Sequence, residues 1–164
     1  MLRYLLVLCA FGWAASSAAA QADVRIEPVH LDGPRQLGAE TQAAAIRDYL
    51  QSWQSFKAAF AQNQAALLDA DFVGNAREKL SAAIEQQAAL GIRTRYQDRA
   101  HDLRIVFYSP EGLSIELTDA VQYDVQVLDH GRPVATKTEH ARYIVVLTPS
   151  EVRWRVRVFQ ATPE

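Results

Sequence analysis

Sulfur is nearly absent from this chain. Its one cysteine is Cys9 and its one methionine is Met1, so a product that loses its first residues has no thiol and no disulfide. That excludes thiol nucleophiles, thiolate metal sites and disulfide stapling, and leaves stability to an ordinary hydrophobic core. Histidine is scarce too. The four, His30, His101, His130 and His140, show no spacing that would set two metal ligands together on a helix or ribbon. The seven glycines form no phosphate-cradling loop and no serine nucleophile elbow. No cofactor and no metal is expected. An excess of one charge is also missing: 17 basic against 19 acidic residues give a formal net charge of −2, which offers no general attraction for nucleic acid or anionic membrane.

The one long apolar run, Tyr4 to Ala15, is too short to cross a bilayer. It follows the basic start Met1-Leu2-Arg3 and precedes a small-residue stretch ending Ala20-Gln21-Ala22, the pattern of a secretory signal peptide. Cleavage is expected after Ala22, with Ala20 as the other site, and the product is expected to be secreted or periplasmic with no stable membrane span. Leu8, ahead of Cys9, stands where a lipoprotein needs a small residue. The 164 residues less these 22 leave 142, enough for one domain that buries about two-thirds of its unfolded surface. Arg3 is the only charge removed, so the balance becomes 16 basic against 19 acidic, a net −3.

Residues 23–40 hold Pro28, Gly33, Pro34 and Gly38 and read as an extended arm or linker, with Val24 and Ile26 able to add a short edge strand. Residues 41–164 form the single domain. From Thr41, Ile46, Tyr49, Leu50, Trp53, Phe56 and Phe60 recur at three- and four-residue steps and line one face of a helix. A second helix, with an aspartate of Asp69 or Asp71 as N-cap, runs through Ala76, Leu80 and Ile84 to about Leu90, where Gly91 ends it. Four strands follow: Arg93 to Ser109, Leu113 to Val127, His140 to Thr148 and Val152 to Gln160, joined by Pro- and Gly-bearing turns.

The second of these strands is the most informative. Leu113, Ile115, Leu117, Val121, Tyr123, Val125 and Val127 alternate with polar residues, and Asp119 interrupts the apolar set. An acid among core positions must be paired, neutralised or set in a cavity. On the preceding strand the same alternation sets Arg95, Gln97, Arg99, His101, Leu103, Ile105 and Phe107 on the core side. Pairing across the turn at Pro110 puts either His101 or Leu103 opposite Asp119, with His101 diagonal to it in the second register.

Two helices followed by a meander of antiparallel strands is an α+β order, with the helices on one face of a curved sheet. Over roughly residues 41 to 160 this resembles the nuclear transport factor 2-like family, also called SnoaL-like or cystatin-like. The resemblance is carried by the aromatic first helix (Tyr49, Trp53, Phe56), the entry Phe72-Val73-Gly74-Asn75-Ala76 and the closing Val152-Arg153-Trp154-Arg155-Val156. It implies a cone whose helices and bent sheet leave a cavity open at one end. Its members include isomerase- and dehydratase-type enzymes, small-molecule binders and dimerisation domains, so the fold alone does not choose among them.

His101 and Asp119 are the candidate catalytic residues, the carboxylate fixing the imidazole tautomer and the imidazole moving a proton. The competing reading, which carries more weight, makes them a buried polar tie between two strands. Tyr49, Trp53, Tyr123 and Trp154 are the candidate ligand-pocket residues, through an aromatic wall and the Tyr123 hydroxyl; core packing is their commoner use. Arg153, Arg155 and Arg157 alternate with apolar residues as a basic stripe expected on the outer sheet face, pairing with Glu116 and Asp124. The leading expectation is a cofactor-free exported domain that binds a small apolar or amphipathic ligand or another protein. The alternatives are a small isomerase or dehydratase using His101 and Asp119, and a structural homodimer joined through the outer sheet face.

Overall fold

The computed structural model describes residues 22–31 and 33–162. The signal peptide expected from residues 1–22 therefore lies, apart from Ala22, outside the described residues. Among the described residues no helix is long and apolar enough to cross a membrane. The order is β1 (Asp23–Ile26), α1 (Ala39–Gln62), a 3-10 turn (Ala65–Leu68), α2 (Gly74–Ala89), β2 (Ile92–Tyr108), β3 (Ile115–Asp129), β4 (Arg132–Pro149) and β5 (Trp154–Thr162). The strands make one sheet in the order β1-β2-β3-β4-β5. β1 runs parallel to β2 and the other pairs are antiparallel. The chain is thus α+β, two helices on a five-stranded mixed sheet, with the segment around Val24 and Ile26 supplying the fifth strand.

α1 carries the core. Its periodic face buries Tyr49, Trp53, Phe56 and Phe60 together with Ala45 and Ala59, whose small side chains let the helix lie close to the sheet. Each large side chain of this kind contributes about 1.5–3 kcal/mol on burial. From the sheet, Leu103, Ile105, Ile115, Leu117, Val121, Val145, Leu147 and Val156 close the core beneath it. The helix ends at Asn63, in the left-handed region at φ 54°, whose N–H donates to the Ala59 carbonyl. Asn63 then donates from Nδ2 to the Ile92 carbonyl, tying the end of α1 to the start of β2. Gly91, at φ 70°, makes the tight exit from α2.

Several expectations need correction. α2 starts at Gly74 after Val73, with no side-chain cap. Asp69 instead pairs with Arg77, and Asp71 accepts from Ser55 and Arg153. On β2 the alternation is broken twice, by bulges between Asp98 and Ala100 and between Ile105 and Phe107. An extra residue flips every side chain beyond it. Arg95, Gln97 and Arg99 consequently face outward, Tyr96 and Asp98 take the inner side, and Phe107 is exposed while Tyr108 is buried. The basic stripe is another. Arg153 bonds to Asp71, and Arg155 donates to the Asp69 and Phe72 carbonyls beyond the β5 edge, so these cations hold the entry to α2. Asp124 is taken by Arg99 and Thr138. Leu113 lies before β3 and is exposed, and β4 begins eight residues earlier than His140, extending the β3–β4 hairpin.

Candidate functional site

Asp119 is fully buried, and the second of the two registers is the one present: Leu103 faces it and His101 faces Val121. The diagonal still lets His101 Nδ1 reach Asp119 Oδ2 at 2.7 Å. Tyr49 donates its hydroxyl to the same oxygen at 2.7 Å, and Trp53 donates from Nε1 to the Tyr49 hydroxyl at 2.8 Å. These two residues sit four apart on α1, one above the other on the face turned to the sheet. On the far side of the imidazole, Nε2 lies 3.7 Å from Asp98 Oδ2, and Lys57 Nζ meets that oxygen at 2.6 Å. The result is a continuous polar chain, Trp53, Tyr49, Asp119, His101, Asp98 and Lys57, running from the dry centre to a half-buried ammonium.

Burial pushes the His101 imidazole toward its neutral form, but hydrogen bonds to Asp119 and Asp98 outweigh it and raise its pKa to about 9. The ring is therefore an imidazolium at neutral pH, with Nδ1 donating to Asp119 and Nε2 in ion-pair range of Asp98. Burial pushes the Asp98 carboxyl up, and bonding to His101 and Lys57 overrides this, leaving it lowered. Burial raises the Tyr49 phenol well above its usual value, and the neighbouring Asp119 charge adds to this, so it stays a donor. Two carboxylates and two cations thus balance along the chain. Aromatic rings wall it in: Trp53 lies edge-on to His101 at 5.1 Å and to Tyr143 at 5.4 Å. Asp119 and His101 have 0% and 2% of their surface exposed, so the pair meets no bulk solvent.

The structure brings together four of the candidate residues and separates the rest. His101, Asp119, Tyr49 and Trp53 form one cluster, and the Tyr123 ring lies 6.1 Å from Trp53. The Tyr123 hydroxyl is spent on Tyr143, 3.2 Å away. Trp154 sits at the other end of α1, donating its backbone N–H to Asp48 and facing a cleft beside Glu40 and Ala44. Sequence reasoning missed Lys57 and Asp98. The signal for Asp98 was Tyr96, an aromatic out of phase with Leu103 and Ile105, which marks a bulge between them.

A second feature lies on the flank of α1. Between this helix and β1 runs an open groove of about 690 Å3, floored by Ala39, Ala43, Ile46 and Leu50 and edged by Ile26. Gln42, Gln51, Gln54 and Arg47 supply its polar rim, and no member of the polar chain lines it. Val24 and Ile26, on the inner side of β1, stay 37% and 46% exposed, and Ile26 edges the groove. Its volume lies within the range of roughly 300–1,000 Å3 usual for small-molecule sites. Among the described residues no group of three His, Cys, Asp or Glu side chains converges as a metal site.

No family model matches the chain, and no curated protein matches it significantly. Solved structures do. The intermembrane-space region of the chloroplast protein ARC6 aligns with a TM-score of 0.62 at 13% identity, over 79% of this chain and 100% of that one. A putative scytalone dehydratase from Novosphingobium aromaticivorans aligns at 0.53 and 12% identity, over 77% of this chain and 89% of its own. Aln2 from a Streptomyces species aligns at 0.52 and 14% identity, over 78% and 94%. The fold is that of the nuclear transport factor 2-like, SnoaL-like proteins. At these identities the likeness extends to architecture alone.

Proposed function

We propose that this chain is an exported binding domain without a cofactor. It takes a small apolar or amphipathic ligand in the groove between α1 and β1, and its buried polar chain is structural. One observation carries the reading: the open, mostly apolar space lies along Ala43, Ile46 and Leu50, whereas Asp119 and His101 are buried. A proton-transfer pair must lie within hydrogen-bond reach of its substrate, and Asp119 and His101 are enclosed by aromatic rings and strand. Export rests on the charged start and apolar core of residues 1–22.

Titration with the uncharged dye Nile red tests the site. Saturable binding is expected, lost in Ala43→Glu, which puts a charge on an exposed floor position, and kept in folded His101→Gln. The reverse pattern would move the site into the core and overturn the proposal. The isomerase or dehydratase alternative keeps one observation in its favour, the Asp119 Oδ1 atom, which is buried without a hydrogen-bond partner. Solvent exchange into a ligand proton, present in the wild type and absent in Asp119→Asn, would be its signature.

A further inference from the structure

The shape and charge of the groove name a ligand class. We propose that it holds one free, unbranched, anionic amphiphile, a long-chain carboxylate, with the alkyl chain along α1 and the head at Arg47. This rests on the groove, and not the polar core, being the binding site. The lining spans Ala39 to Gln54, 16 residues of helix and about 22 Å of rise, with Arg47 midway, so a chain whose head sits there runs along one half of it, about 10–12 Å. Its floor of alanine methyls with Ile46 and Leu50 is long and shallow, which suits a linear chain better than a fused ring system.

Charge then selects the head. Among the described residues Arg47 is the only charged one lining the groove; the other polar liners are the neutral amides of Gln42, Gln51 and Gln54. The described hydrogen bonds engage Arg47 Nε and Nη2 with Asp48 Oδ1, which orients the guanidinium, and none engages Nη1. A ligand carboxylate therefore finds the Nη1 edge of a guanidinium held from behind by Asp48, and among the described lining residues no carboxylate stands in the groove to repel it or to pair with a cationic head. A single cation on a chain of net charge −2 makes a poor anionic-bilayer surface, which draws on clusters of basic residues. The occupant is thus the monomeric amphiphile rather than a membrane.

Calorimetric titration of the full chain with dodecanoate, kept below its micelle concentration, tests this against dodecyltrimethylammonium and dodecanol. Stoichiometric binding of dodecanoate is expected, at least tenfold tighter than of the ammonium. Arg47→Gln should weaken dodecanoate about tenfold, the loss of one charge-assisted hydrogen bond, and erase the head-group preference. Gln51→Glu, at an exposed rim position, should weaken dodecanoate and leave dodecanol unchanged. Both sites are exposed, so circular dichroism should show intact folding. Equal binding of the two charged heads, or an Arg47→Gln variant that binds dodecanoate as before, overturns the anionic class even if Nile red still reports the groove. Binding of every amphiphile undiminished in Ala43→Glu overturns the groove itself. A ligand-free dimer dispersed by Ala43→Glu would show that a second copy occupies the groove, and a chain that floats with phosphatidylglycerol vesicles would show a membrane; each overturns the proposal.

Discussion

Toward the sheet, α1 buries Tyr49, Trp53 and Phe56 around a closed chain of charges; toward β1, the same helix leaves Ala43 and Arg47 beside an open groove. The closed side is chemically rich and the open side chemically plain. A carboxylate, an imidazolium and two phenols would suggest catalysis in a solvent-filled cleft, yet they are packed among rings with their donors engaged internally. The groove holds one guanidinium and three amides. On the proposed reading, chemical variety marks a device that holds strands and helix together, and open space marks the place for a ligand.

The largest effect should come from breaking the closed side. Asp119→Val strips Tyr49 and His101 of their shared acceptor and leaves an uncompensated imidazolium, so it should cost about 3–5 kcal/mol in urea unfolding. His101→Ala should cost a similar amount, and the double variant much less than the sum. Small, additive losses would show that the chain is not a structural unit and would dissolve the contrast.

A somewhat smaller effect follows from pH. The His101 pKa is raised from 6.5 unfolded to about 9 folded. Its stabilisation is therefore complete below pH 6.5 and lost as pH rises through 9, a span of about 3 kcal/mol. Asp98, whose pKa is lowered, contributes in the opposite sense: its share is present above the unfolded value of 3.8 and lost as acid protonates it below that. Melting temperature should accordingly fall from pH 6.5 to 9, and that slope should flatten in His101→Gln. A slope that persists in the variant would assign the titration to another group.

The smallest effect belongs to the open side. Ala43→Glu touches no packed neighbour and should change stability by no more than about 0.5 kcal/mol, while removing ligand binding. A destabilisation comparable to that of Asp119→Val would mean that the groove is part of the core, and the two sides of α1 would no longer differ in kind.

Much of the closed side was legible in the linear sequence, because periodicity reports which side chains share a face. The three- and four-residue steps from Ile46 to Phe60 gave the buried face of α1, and the alternation of β3 isolated Asp119 as the acid on an apolar side. The pairing with His101 was within reach of either register, since a diagonal neighbour can still be bridged by an imidazole. Asp98 and Lys57 were not legible. The bulge at Arg99 shifts the phase of β2, and an alternation counted back from Leu103 then assigns Arg95 and Gln97 to the wrong side.

The sequence by itself therefore determined the α+β order, the aromatic core of α1 and the need of Asp119 for a partner, because these follow from local periods and from the cost of burying a charge. Tertiary structure alone decided the rest. Whether an acid ends buried or facing a cavity depends on which side chains from other elements pack around it, here Tyr49 on α1, His101 on β2 and Tyr143 on β4. The groove is likewise a property of no segment: Ala39, Ala43 and Ile26 are ordinary apart, and only the parallel docking of β1 on β2 brings them to the two sides of one space.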